Sequence, residues 1–484
     1  MKDLVERAVT IARSLGASYS DSRGVLQTWQ TLAVQNGEIR RSVNEESLGL
    51  GIRVLVGGAW GFAATDDLSP DSVESAVHQA VRIARAGASV PGRRAELAPE
   101  EKHLADWTSP CRRDPFKVPL EEKLDLMFAV DRALRGVKGV TSSRVDLGFR
   151  RSESTFASSV GSLITQRRTQ TGAGFTVGAY SDGEYQTRSY PTLFGGQWSL
   201  RGYELVNSLD LLGNAVPRAE ESVALLSAAP CPSGEMDIIL EGSHLGLVVH
   251  ESVGHATELD RALGTEANYA GTTWATTERL GRLQYGSDLM NVVADARPEH
   301  GDSPGCFAFD DEGVPARRID IVKEGMLAGY MSSRETARRL GLPRSGGCMR
   351  ATSWNRLPLV RMTQVSLLPG EWELEDLIAD TRDGILMATT KSWSIDDKRL
   401  NLQFGCEIGW RIKNGKRAGL VRNPTHAGIT PRFWGSMDAV CNRKHWALWG
   451  IPHCSKGHPR QAIGVGHGAA PARFRKVAVG VAGP

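Results

Sequence analysis

A chain of 484 residues is too long for one ordinary hydrophobic core, so two domains are the default. With 41% hydrophobic and 23% charged residues and a formal net charge of +3, the composition is that of a soluble globular protein. It gives no clustered basic footprint for nucleic acid. No run of about 18 apolar residues is present to span a membrane. The charged, amphipathic start MKDLVERAVTIARSLGAS lacks the apolar core of a signal peptide. Seven widely spaced cysteines, an odd number, argue against a disulfide framework and for a reducing cytoplasm.

Along the chain, Leu4, Val5, Ala8, Ile11 and Ala12 recur at helical spacing over residues 2–15, with Gly16 as a C-cap. From about residue 25 the pattern alternates, punctuated by Asn-Gly and Gly-Gly, which predicts hairpins. SPDSVESAVHQAVRIARAGA predicts a second helix with Ser69 or Asp71 near its start. PLEEKLDLMFAVDRALRG predicts a third, opened by Pro119 and closed by Gly136. Residues 140–200 read as antiparallel strands. The turn-rich SAAPCPSGEMDIILEG puts a domain boundary near 228–234, just before the apolar strand Ile238–Leu240. The division is therefore between residues 1–230 and 231–484, the second part mostly short strands and turns. In the second half helices are expected near 243–260, 334–340 and 373–380, and loop and strand after 447.

The stretch LVVHESVGHATELD carries the chemistry. His250 is followed at once by Glu251, and His255 lies five residues on. The common zinc-peptidase pattern is His-Glu-x-x-His, which puts both imidazoles on one helix face. One residue more turns an ideal α-helix through roughly 500°, leaving the two rings about 140° apart. Either a π-type turn brings position i+5 back towards i, or the helix breaks at Gly254, a permissive residue. A third ligand must come from elsewhere. Glu258 and Asp260 are near in sequence. The tail offers His426, His445, His453, His458 and His467, and Cys454 among them.

HESVGHATELD together with CSKGHP resembles the TldD/PmbA family of metallopeptidases, specifically its motif-bearing, TldD-like subunits. The resemblance runs nearly end to end, through NGEIRRSV, GLGIRVLVGGAWGFAAT, DDEGVPARRIDIVKEGMLAGYMSSRETA and GLVRNPTHAGITPRFWGSMDAV. It implies an α+β fold, with an N-terminal α/β domain over 1–230 and a largely antiparallel β domain over 231–484 that carries the metal, and it implies that His250, His255 and Cys454 bind Zn²⁺ and that Glu251 is the catalytic base. It also implies a dimer, either of two copies or with a PmbA/TldE-like paralogue, acting on unfolded peptides or peptide leaders. Ser455 stands where the family loop usually has Gly. Two other readings are a non-catalytic partner subunit and a metal-dependent amidase of small molecules. His426, Arg432 and His453 are candidates for the group that stabilises an oxyanion.

Overall fold

A computed structural model of the chain describes residues 1–269 and 271–481. The fold is α+β, with two eight-stranded sheets as its main frameworks. Helix α1 (Lys2–Ser14) buries the stripe Val5, Ala8, Val9 and Ala12, and Gly16 follows it at φ +89°, the left-handed conformation a glycine reaches at no steric cost. Helix α2 (Pro70–Ser89) is capped by Ser69, whose hydroxyl accepts from the Ser72 N–H, with Pro70 in its first turn. Helix α3 (Leu120–Arg135) runs between Pro119 and Gly136.

The first sheet contains strands β1 (Tyr19–Gln35), β2 (Glu38–Val56), β3 (Ala59–Thr65), β4 (Leu104–Thr108), β5 (Val140–Ser158) and β6 (Leu163–Ser181), in the order β3-β2-β1-β5-β6-β4. All pairs are antiparallel except β4–β6. Period-two alternation sorts the central strands. Leu32, Val34, Leu147, Phe149, Ala173 and Phe175 join the core under α3, while Trp29, Arg150 and Gln170 lie on the opposite face. Trp29 stands opposite Arg150, and Arg150 opposite Gln170.

The second half begins with β7 (Gly234–Leu240) and the helix α4 (Gly242–Val249), capped by Glu241 through the Ser243 N–H. Strands β8 (Asp383–Ile395), β9 (Asn401–Lys413), β10 (Pro424–Ile429) and β13 (Ala472–Val481) complete the frame. Their pairings close a ring: β8 on β7, β7 on β13, β13 on β10, β10 on β9 and β9 on β8. A separate hairpin, β11 (Ala447–Lys456) with β12 (Gln461–Ala469), packs beside α4. Short helices occur at Arg334–Arg339 and Leu374–Ala379. Leu245, Leu247, Val248 and Val249 are all buried, and so is His244, so α4 is covered on all sides. The residues after 447, expected as loop and strand, form three strands, and Cys454 sits on β11 rather than in a loop.

Candidate metal centre

The helix changes pitch where the motif requires it. After Val249 the chain makes one π turn, His250–Gly254, in which the His255 N–H bonds the His250 carbonyl, followed by a short 3₁₀ turn to Thr257. The wider turn brings the two rings together: the imidazole centroids of His250 and His255 lie 4.8 Å apart at 87°. Gly254 does not serve as a permissive backbone, since its φ and ψ are −55° and −60°. It is needed because a Cβ there would meet Met362 Sδ at 2.1 Å. The turn is further fixed by Tyr285 Oη, which donates to the Ser252 carbonyl at 2.5 Å, and by Trp434 Nε1, which donates to Ser252 Oγ.

Cys454 arrives from the β11–β12 hairpin. Ile451 pairs with Val465 but Cys454 pairs with Ile463, so β11 carries one extra residue in a bulge just before the cysteine. Its Sγ lies 3.4 Å from His255 Nε2, and one donor atom each from His250, His255 and Cys454 falls within 4.8 Å of the others. All three residues are buried. Ser455 continues the strand, and its hydroxyl accepts from Arg460 Nε.

The outer ring nitrogens are occupied. The Val365 carbonyl can only accept, so His467 Nδ1–H donates to it at 2.9 Å, and His467 Nε2 is left as an acceptor. That nitrogen accepts from His250 Nδ1–H at 2.7 Å, leaving the His250 Nε2 lone pair free. Likewise His255 Nδ1–H donates to Glu258 Oε2 at 3.0 Å, freeing Nε2. Glu258 is anchored in turn by the Met362 N–H and by the fully buried Lys456, 3.4 Å away, which also grips both Asp260 oxygens at 2.7 and 2.8 Å. Glu258 and Asp260, two of the sequence candidates for a third ligand, therefore stand behind the histidines rather than among the donor atoms.

Burial alone would raise the Glu251 carboxyl. His250, His255 and Arg399 outweigh it and hold the group below the usual carboxylate range. Arg399 Nη1 donates to Oε2 at 2.7 Å and Trp393 Nε1 to Oε1 at 2.9 Å, so both oxygens are fixed while each keeps a second lone pair. Burial would also raise the Cys454 thiol, but His255 and Arg361 bring it below its ordinary value. Glu258 is pulled well down against its burial by Lys456 and His255. Burial pushes His250 and His467 down, towards neutral imidazole. Two imidazoles with their Nε2 positions open and a low-lying thiol form a donor set suited to zinc.

Of the remaining sequence candidates, His426 is away from this cluster. It is fully buried, meets His244 Nε2 at 2.9 Å and stacks on Phe404 and Phe433. Arg432 is exposed on the helix Thr430–Gly435. His453 neighbours Cys454 but turns out to Arg150, and burial with that guanidinium lowers it to about 4. His445 pairs with Glu373. Sequence reasoning missed Arg399, Trp393 and Lys456 outright, and it treated His467 only as a potential ligand.

An α+β protein with a buried His–His–Cys cluster and an adjacent fixed carboxylate defines a metallopeptidase-like class. The model of the PmbA/TldA metallopeptidase C-terminal domain matches residues 233–480, that of domain 1 matches 23–84 and that of the central domain 113–224. The chain belongs to the PmbA/TldD metallopeptidase family. It is 29% identical over 469 residues to a metalloprotease of Methanothermobacter thermautotrophicus, covering 96% of this chain and 95% of that one. It is 26% identical over 452 residues to the metalloprotease MJ0996 of Methanocaldococcus jannaschii, covering 93% and 95%. A zinc metalloprotease TldD homolog of Saccharolobus solfataricus is 22% identical, with 89% of each chain covered. The fold is shared with TM0727 of Thermotoga maritima, at TM-score 0.76, 16% identity and 99% of both chains. It is also shared with TldE of Thermococcus kodakarensis, at TM-score 0.73, 16% identity, 99% of this chain and 100% of that one.

Proposed function

We propose that this protein is a zinc-dependent peptidase of unfolded or extended peptides, peptide leaders among them. The observation that carries the reading is the convergence of three donor atoms within 4.8 Å beside a carboxylate held by Arg399 and Trp393. His250 Nε2, His255 Nε2 and Cys454 Sγ would hold the metal, and the name of the Saccharolobus relative supports zinc. When bound, zinc would supply a Lewis acid that acidifies water and polarises the scissile carbonyl.

The chain's own residues do the remaining work. Glu251, kept ionised by Arg399, takes a proton from water at the free lone pair of a carboxylate oxygen and hands it to the leaving amine. His467 and Glu258 hold the imidazoles in the tautomer that leaves Nε2 open. Extended peptides suit a site that reads backbone through hydrogen bonds and so tolerates many sequences.

The domain division at 230/231, a cytoplasmic setting and a dimer belong to the same proposal. Seven free cysteines and the lack, among the described residues, of any helix long and apolar enough to cross a membrane support the setting. The fold shared with TldE supports pairing with a paralogue as an alternative to self-pairing. The test is to assay purified protein for metal and for cleavage of a disordered protein and of small amides. Glu251→Gln should retain zinc and lose roughly 10²–10⁴-fold in turnover. Near-normal cleavage by that variant overturns the mechanism, and cleavage of small amides alone overturns the substrate class.

A further inference from the structure

The face of the first sheet that looks towards the second half of the chain carries a group of arginines outside the metal centre. On β5 and β6, Arg150 and Arg168 point to this face, since the intervening Phe149 and Thr169 are buried. Arg151, one residue along, also contributes to the cavity lining, but its guanidinium pairs with Asp114 and lies over Phe116. From the opposite side comes Arg350. The three surround a cavity of about 80 Å³, closed by Gln27, Trp29 and Gly464, with no carboxylate in its wall.

Two of these arginines are partly used. Arg350 donates to the carbonyls of Met362, Gly464 and Pro304. Arg150 stacks over Trp198 and donates to the Pro452 carbonyl. The Arg168 side chain has no hydrogen bond and no ion pair among the described residues. The acid nearest in charge is Asp311, which is already engaged by Arg23 at 3.1 Å and by the Ala351 N–H at 2.7 Å. Burial depresses all three guanidinium groups, Arg150 to about 10 and Arg350 to about 9, and Arg168 depresses Arg350 further. Asp311 is the one acid that offsets Arg168 and Arg350, and it is shared with Arg23, so a further anion between the three guanidinium groups would be favourable.

The cavity shares Trp29 and Arg150 with a larger cleft of about 490 Å³ that is also lined by His453 and Phe194. Phe194 packs edge-on against Trp393, at 5.5 Å and 67°, and Trp393 is the donor that holds Glu251. The arginine cavity thus adjoins a cleft whose wall includes Phe194, the ring in contact with the Trp393 that holds the proposed base. We propose that Arg150, Arg168 and Arg350 form a recognition site for a carboxylate of the bound peptide, with the peptide lying along the larger cleft. The assignment rests on the peptidase reading for the identity of the ligand. A charge-assisted hydrogen bond contributes about 1.5–3 kcal/mol, so a carboxylate should outbind its neutral counterpart by about 10–100-fold.

The experiment uses the full chain as Glu251→Gln, so that bound peptide is not cut. Calorimetry compares an acetylated peptide with a free C-terminus, the same peptide as its C-terminal amide, and an amide carrying an internal Glu. At least one carboxylate-bearing peptide should bind about tenfold tighter than the neutral amide, and whichever does so identifies the source of the carboxylate. Adding Arg168→Gln should abolish the difference without lowering the thermal midpoint, because an unpaired charge is removed. Equal binding of all three peptides, a preference that survives Arg168→Gln, or a lower midpoint in that variant overturns the proposal. So does inorganic phosphate binding at Arg168 where no peptide does, which would mark a free-anion site. A wild-type protein that binds the acid selectively but cuts nothing would overturn the peptidase reading and leave the carboxylate site standing.

Discussion

His250 and His255 are useful because of what stands behind them. A ring nitrogen presents a lone pair only if the other nitrogen carries the proton, and here His467 and Glu258 each accept that proton at 2.7 and 3.0 Å. Removing such an outer partner typically lowers metal affinity about 10–100-fold. Glu258→Ala should therefore keep zinc at reduced affinity, measured by competition with a chelator. Cys454→Ala should lose most of the metal, because two histidines leave zinc short of the three protein ligands normal in a catalytic site. Zinc retained without Cys454 and lost without Glu258 would reverse the assignment. The pair His250–Glu251 was legible in sequence, since adjacent residues on a turn point in neighbouring directions whatever surrounds them. The role of His467 was not: five histidines follow residue 420, and only the register of β12, which sets His467 opposite Trp449, selects this one.

At the scale of the element, the extra residue between the histidines makes sense only as a π turn. The helical geometry of one turn was enough to require either a wide turn or a break, and the required i→i−5 bond is present at His255. What local reasoning could not supply was the purpose of Gly254. Its backbone is right-handed and needs no glycine, whereas Met362, 108 positions away in sequence, occupies the space of a side chain. Gly254→Ala should cost about 1–3 kcal/mol through overpacking and displace His255 enough to weaken metal binding. Shortening the neighbour in Gly254→Ala/Met362→Ala should recover part of the metal affinity. A thermal melt and a metal titration check both, and a single variant indistinguishable from wild type would remove the packing argument.

Across the whole molecule, buried charges tie the two halves together. Arg188 of the strand Glu184–Tyr190 donates to Glu407 of β9 at 2.8 Å with both side chains almost fully buried, and the Ser189 N–H and hydroxyl complete the carboxylate's partners. Arg53 of β2 meets Asp21 at 2.6 Å and, across the interface, Glu312 at 3.1 Å. Arg188→Met leaves Glu407 as an uncompensated buried carboxylate, and a loss of about 3–5 kcal/mol is expected in denaturant unfolding. A loss below about 1 kcal/mol, the range of an exposed pair, would show that the junction is solvated.

Within the second half, the proposed metal centre would add a tie of its own. It joins the π turn to a hairpin whose cysteine lies 199 residues from His255. A ligand present at about a thousand times its Kd stabilises the native state by about 4 kcal/mol. Chelation should therefore lower the thermal midpoint of wild type clearly and that of Cys454→Ala hardly at all. Equal shifts in the two proteins would place the metal elsewhere.

The sequence by itself determined what depends on near neighbours. Helix α1 and its Gly16 terminus, the Ser69 cap, the limits of α3 at Pro119 and Gly136, and the change from period 3.6 to period 2 all follow from residues a few positions apart. The same holds for the His-Glu adjacency. The tertiary structure alone decided which distant groups face one another: Arg399 and Trp393 on Glu251, Lys456 beneath Glu258, and the bulge that turns Cys454 towards His255. Strand pairing brings such groups together over separations of a hundred residues or more. A one-residue change of register would turn the strand residues Trp393, Cys454 and Lys456 to the other face, and which strands pair in that register is decided by distant segments.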